Sequence, residues 1–480
     1  MKVAPIHILA GITLVLAAFG IWYLIQPNPT QNVIKDEQIP QEYCGDGICD
    51  QKELKKNECP LDCIPTNNLT NENETITYIY SNGNKIAVKL TFPEEPRYEE
   101  GAPVLVYVTT FFTPSNPDFS ASIDTVSEYG FVHVAYLWPG ISDPAEGVKS
   151  EGEYDYGGEN SIEALRDVIK FASGEKTNIY GKYISELSPV SIIDGNVGLY
   201  AFSHPGIAAT NVLAYYPELD VQYFVGRENP TTDVLYPLEP GHWDDNGKAD
   251  YNPYYVYPDD YNSTDINIDY SSLKYDFELN LPYFDVDNDS IAKDGIDFII
   301  GKQHPSMFGK DFYSRKLTWA LWDNGVLNES NWPEDLATPQ ETDEYWPYRT
   351  TVDNYDKISN DVKVMLVFSV NDHVQTALDK PHIHQAYDGF MANGNWIRLN
   401  ADSAYVSTIG QTTNAPDNDA NTEPEDWMNV GEWAEPNSRV TTGMLIPTAA
   451  ICEMADRSYT GNWSDNLDEV LVNEWVGIDT

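Results

Sequence analysis

Residues 196–214 constrain the fold of this chain more than any other stretch. Asn196-Val-Gly-Leu-Tyr-Ala201 is a short apolar run that reads as a buried strand, and Ile207-Ala-Ala-Thr-Asn-Val-Leu-Ala214 reads as the start of a helix. Phe202-Ser203-His204-Pro205-Gly206 is all that joins them. A serine on so tight a strand-to-helix turn has its Oγ lifted clear of the sheet, with the N–H of the next residue turned toward the same space. The crowded turn needs small residues on both sides, usually as Gly-x-Ser-x-Gly. Here Ala201 stands in the first place and Pro205-Gly206 fills the second. The bland alternative is an ordinary strand-to-helix turn in which Ser203 only caps the helix, so the flanking segments decide.

Those segments fall in a definite order. Thr75–Tyr80 and Lys85–Phe92, split by Ser-Asn-Gly-Asn, predict a hairpin, because Asn-Gly supplies the positive φ angles of its turn. Pro103–Thr110 is a continuous apolar run, as expected of a strand covered on both faces. A helix near Ser120–Tyr129, a strand at Phe131–Leu137 and an amphipathic helix at Ser161–Ala172 lead to the Ser203 strand. Val221–Gly226 predicts the next strand. Regular periodicity then fades from about Thr231 to Asp353, outside Lys316–Leu321. A loop-rich stretch of that length reads as an inserted cap rather than a connection. Strands resume at Val362–Ser369 and Asn395–Asn400, around a helix near Pro381–Met391, and a last helix is expected at Val440–Met454.

With the Ser203 turn, this order from Val104 to Asn400 resembles an α/β-hydrolase of the esterase or peptidase type, split by a long insertion. The expected fold is therefore an α/β-hydrolase sheet with an inserted cap, preceded by a transmembrane helix and a small disulfide-rich module. The divisions are an anchor at 5–25, a stalk at 26–43, the disulfide module at 44–63 and a linker at 64–74. The hydrolase core at 75–230, the cap at 231–354 and the second part of the core with its tail at 355–480 complete the chain.

The resemblance implies specific roles. Ser203 is the nucleophile, with oxyanion donors on the backbone of His204 and of Phe111, within the exit loop Thr110–Phe112. Asp372, just past the Val362–Ser369 strand, takes the place of the acid; Glu228, at the end of the preceding strand, is the alternative. In the family the histidine follows the last strand. Here the eight histidines end at His384, so none does. His382 and His384, opening a helix on the Asp372 edge, are the candidates for a displaced base, with His242 and His304 in the cap and His373 beside the acid.

The N-terminus and the charge address location. Residues 5–25 are uncharged and long enough to span a bilayer, with Lys2 before them and a polar flank after. This predicts a single-pass anchor with the N-terminus inside and the rest outside; cleavage would instead release a secreted protein. Cys44, Cys49, Cys59 and Cys63 cluster within twenty residues and read as two disulfides of open pairing. Their spacing counts against the alternative, a four-cysteine zinc site. Cys452 is expected to be a buried lone thiol. Acceptors for N-glycosylation stand at Asn68, Asn73, Asn262, Asn288, Asn328 and Asn462. A net charge of −48 repels nucleic acid and anionic lipid headgroups alike.

Asp285-Val-Asp287-Asn-Asp289-Ser290 opens like a calcium loop, with oxygens converging from alternate residues. Ser290 replaces the expected glycine and Ile296 the closing glutamate, while Asp294 and Asp297 offer further carboxylates. Calcium is expected here as a structural ion, against a merely solvated acidic loop, and no cofactor is expected for catalysis. Two functions remain open at this point. One is a surface serine hydrolase acting on an ester or peptide bond. The other is an inactive hydrolase fold serving as a binding, adhesion or surface-layer component. The ligand class is a small molecule, a peptide or a glycan; sequence does not give the oligomeric state.

Overall fold

The computed structural model describes residues 73–109, 119, 124–233, 239–243, 249–256, 266–293, 295–301, 308–368, 372, 375–377, 380–401 and 445–463. The apolar runs form one eight-stranded sheet: β1 (Glu74–Ser81), β2 (Asn84–Thr91), β3 (Ala102–Val108), β4 (Val132–Tyr136), β5 (Ile192–Phe202), β6 (Tyr223–Arg227), β7 (Lys363–Val367) and β8 (Ile397–Leu399). Their spatial order is β1-β2-β4-β3-β5-β6-β7-β8. β2 runs antiparallel to both neighbours, and every pair from β4 to β8 is parallel. A mixed sheet in this order, with a serine turn after β5, is the α/β-hydrolase fold. The β1–β2 turn forms as its residues demand, with Asn82 at φ 49° and Gly83 at φ 82°.

Strand alternation divides the core into two layers. Val104, Val106 and Val108 of β3 face one layer, packed under α1 (Glu159–Ala172), α2 (Pro205–Tyr215) and, further along the sheet, α5 (Pro381–Asn393). Leu105 and Tyr107 face the other layer, which is covered by α6 (Leu445–Thr460) through Ala449, Ile451, Cys452 and Met454. The helix expected at 440–454 is described from Leu445 and runs on to Thr460. Its apolar residues at Ala449, Ala450, Cys452 and Ala455 are small, which lets the helix lie close on the sheet. Cys452 is a free thiol, as expected, and burial pushes its pKa up to about 12, leaving it inert.

The insertion between β6 and β7 has more order than its periodicity suggested. Its described residues include two helices, α3 (Arg315–Asp323) and α4 (Pro339–Arg349), and a three-stranded ribbon of Leu273–Asp276, Leu281–Phe284 and Phe298–Ile299. Leu273, Phe284, Phe298, Leu317 and Leu321 form its own small core. Ribbons of two to four residues are too short to leave a readable alternation. The Thr338 side chain and Glu341 make a reciprocal cap that starts α4, so local chemistry supplies what periodicity lacks.

Among the described residues no helix is long and apolar enough to cross a membrane. The candidate anchor at 5–25 and Cys44, Cys49, Cys59 and Cys63 lie outside those residues, as do the acceptors Asn68 and Asn262.

Candidate active site

β5 delivers Ser203 at φ 61°, in the left-handed region that non-glycine residues avoid at a cost of about 1–3 kcal/mol. The backbone on both sides holds it there. Ser203 N–H donates to the Arg227 carbonyl (2.8 Å), and the Ser203 carbonyl accepts from Gly206 N–H (2.9 Å) as α2 begins. Pro205 in the first turn of α2 fixes the helix entry, and the helix N-terminus brings a partial positive charge to the His204 peptide.

A residue that sequence reading passed over staples this turn. The Asn229 side-chain amide donates to the carbonyls of Ala201 (3.0 Å), Ser203 (2.8 Å) and Arg227 (3.0 Å). Gly206 and Gly226 make room for it. A Cβ on Gly206 would sit 2.1 Å from Asn229 Cγ, and one on Gly226 2.3 Å from its Oδ1. The local sign was Asn229-Pro230 at the strand end, where proline holds the preceding residue out of a helix.

Asp372 and His382 come together. The His382 Nε2–H donates to Asp372 Oδ2 at 3.0 Å, and both residues are about 2% exposed. Asp372 Oδ1 accepts from Gln375 N–H (2.9 Å), and its carbonyl accepts from Trp243 Nε1 in the insertion (3.0 Å). Lys380, left-handed at φ 45°, closes the turn before α5 by donating its ammonium to the Gln375 and Ala377 carbonyls. β5, β6 and β7 are successive parallel strands, so β5 toward Ser203 and β7 toward Asp372 both end at the same end of the sheet, the strand ends about 10 Å apart by strand spacing.

The other candidates are placed differently. His384, two residues along α5 from His382, points to another side of the helix and is half-buried. Burial, and then the neighbouring His382, depress its pKa to about 4. His242 faces Asp250 across the ribbon Gly241–Trp243/Ala249–Tyr251 (3.9 Å) and packs on Phe298. Glu228 is 1% exposed and left-handed at φ 45°; its N–H donates to the Val367 carbonyl at 2.8 Å, placing its backbone between Ser203 and β7. His204 has a buried side chain that meets the Asp233 carboxylate. Phe111, His304 and His373 lie outside the described residues.

In the acidic loop, oxygens of Asp285, Asp287 and Asp289 lie within 4.8 Å of one another, an all-carboxylate set of the kind calcium selects. Asp285 is 3% exposed, and its Oδ1 has no hydrogen-bond donor among the described residues. The Lys293 ammonium sits on Asp287 (2.6 Å) and Asp289, supplying internal positive charge. Asp297 stands apart from the three and clamps the loop by accepting from Val286 N–H (2.8 Å) and Lys293 N–H (2.9 Å). Asp294 lies outside the described residues.

No protein-family profile matches the sequence, and no curated protein matches it either. Among solved structures, the chain is similar to Pyrococcus horikoshii acylaminoacyl peptidase at 12% identity, over 68% of this chain and 36% of that one, with a TM-score of 0.34. Porphyromonas gingivalis dipeptidyl peptidase 4 is similar at 8% identity, over 68% and 31% of the two chains, with a TM-score of 0.33. A fungal esterase of Rhizomucor miehei is similar at 9% identity, over 68% and 72%, with a TM-score of 0.34. The chain thus spans about a third of the length of either peptidase. Strand order and the serine turn define the fold, and superposition scores this low add no weight to it.

Proposed function

We propose that the protein is a serine hydrolase that cleaves an ester or peptide bond through an acyl-enzyme on Ser203. The observation carrying this reading is a serine held at φ 61° on the sheet edge from which a buried Asp372–His382 pair also projects. Presentation of the serine side chain at that point gives the strained backbone a reason to persist. In the reaction, His382 accepts the Ser203 proton as Oγ attacks the carbonyl carbon. Asp372, bonded to Nε2–H, leaves Nδ1 as the lone-pair nitrogen and stabilises the imidazolium that forms. The His204 N–H, at the positive end of α2, meets the oxyanion; a second donor is assigned to Phe111. The imidazolium then protonates the leaving group, and water repeats the sequence to release the acid.

The wider setting follows the sequence. Residues 5–25 and the cysteine cluster support an anchored, extracellular enzyme, and the acidic surface disfavours anionic substrates. The insertion's aromatic content suits an apolar, aromatic or sugar-bearing small molecule or peptide. One observation favours a second reading, a binding protein without turnover: no histidine follows β8 anywhere in the sequence. Labelling the purified protein with a fluorophosphonate separates the two. The hydrolase reading expects labelling that Ser203→Ala abolishes; a folded wild type that stays unlabelled supports the binding reading.

A further inference from the structure

The residue after Ser203 is tied to the insertion by a chain of buried charges. His204 is fully buried, and its Nε2 meets Asp233 Oδ1. Asp233 lies just past β6 and is 1% exposed. Arg349, the last residue of α4, closes on the same carboxylate with Nε and Nη2 together. Its Nη1 donates to the Tyr156 carbonyl (3.0 Å), which also accepts from the Tyr345 hydroxyl (2.5 Å). The two segments are laced by their backbones as well. Asp233 N–H donates to the Arg349 carbonyl (3.0 Å), and Thr351 N–H to that of Thr231 (2.8 Å).

Three ionisable side chains out of water are a poor way to gain stability, since packed apolar residues of similar volume do as well or better. What they provide is direction. A forked guanidinium on a carboxylate fixes the carboxylate plane, and that plane fixes the imidazole it accepts from. Burial opposes the charge on Asp233, yet Arg349 and then His204 hold its pKa well below the usual carboxylate range, so the anion persists. The imidazole so held belongs to the residue whose N–H, at the start of α2, faces the oxyanion.

We infer that Asp233 and Arg349 are positioning residues for the oxyanion donor, holding the Ser203–His204 peptide through the His204 imidazole and making its geometry depend on docking of the inserted segment. The inference rests on Ser203 being the nucleophile. A fluorophosphonate tests both, because phosphonylation builds charge on the oxygen that this N–H meets. Saturation kinetics on the full chain give kinact and KI for wild type, Arg349→Lys, and the double variant Asp233→Asn/Arg349→Met. Lysine keeps the charge but loses the fork, and the double variant leaves no buried charge unpaired, so the fold has no charge-driven reason to fail. The expected result is a kinact about 100- to 1000-fold lower in both variants, the range for a lost oxyanion donor, with KI and melting temperature near wild type. A purely structural role would instead change the fraction of protein that folds and labels, leaving kinact of that fraction at the wild-type value. That result overturns the inference while leaving the nucleophile in place. A wild type that does not label overturns the nucleophile reading and this inference with it.

Discussion

Glycine at position 203 should make the protein more stable and inactive, and the size of the gain can be worked from the backbone. Ser203 sits at φ 61°, where an L-residue pays about 1–2 kcal/mol for the approach of Cβ to the following carbonyl and glycine pays nothing. Glycine also frees the unfolded chain, which returns about 0.4–1 kcal/mol. Ser203→Ala is the reference, because it removes Oγ as glycine does while keeping Cβ. The difference should leave Ser203→Gly about 0.5–1 kcal/mol more stable than Ser203→Ala, read as a higher urea midpoint at an unchanged m-value. Neither variant should label with a fluorophosphonate. A glycine variant no more stable than the alanine variant, at equal m, would refute the claim that strain is stored at this turn for the sake of the side chain.

His133 and Glu239 should pull stability in opposite directions across nearly the same pH window, so that in the wild type their effects largely cancel. His133 in β4 is buried, which depresses its pKa to about 4; the unfolded histidine takes its proton near pH 6.5, so stability is full above that pH and falls by roughly 3 kcal/mol as pH drops toward 4. Glu239 in the insertion is raised to about 7 by burial, so its contribution is full below pH 4.5 and is lost, by a similar amount, as pH rises through 7. In melting curves taken across pH, His133→Gln should uncover the loss due to Glu239 as pH rises from 4.5 to 7, and Glu239→Gln the gain due to His133 from 4 to 6.5; profiles that match the wild type would contradict burial of these groups. Asp372→Asn should keep the fold but slow phosphonylation about 1000-fold or more by favouring the wrong His382 tautomer, and an unaltered rate would remove Asp372 from the site. At constant ionic strength, EDTA should lower the melting temperature and calcium restore it, worth about 2.7 kcal/mol at a hundredfold excess over Kd, with Asp287→Ala losing the response. Equal curves would assign the neutralisation of this loop to Lys293 alone.

The sheet was legible because its strands carry their own signatures. Continuous apolar runs such as Pro103–Thr110 report burial on both faces, and Asn82-Gly83 reports its turn without help from the rest of the fold. The Ser203 turn was legible for the same reason, since small residues at 201 and 206 are local demands. What escaped was long-range. His204 read as a backbone position, because nothing nearby announces partners at Asp233 and Arg349, brought in by a segment more than a hundred residues long. Asn229 escaped likewise, its three acceptors coming from two strands. His382 and His384 looked equivalent until α5 turned one toward Asp372 and the other aside. The insertion's ribbons are held by Phe284, Phe298 and Leu317 from separate stretches, so no window of sequence displays their core.

The most direct test of Ser203 as nucleophile and His382 as its base is peptide mapping of the fluorophosphonate adduct by mass spectrometry, with its rate of formation in wild type and His382→Gln. One adduct is expected, on Ser203, forming about 1000-fold or more slowly once His382 can no longer take the proton. An adduct on another residue, or a Ser203 adduct that forms as fast in His382→Gln as in wild type, would contradict this assignment.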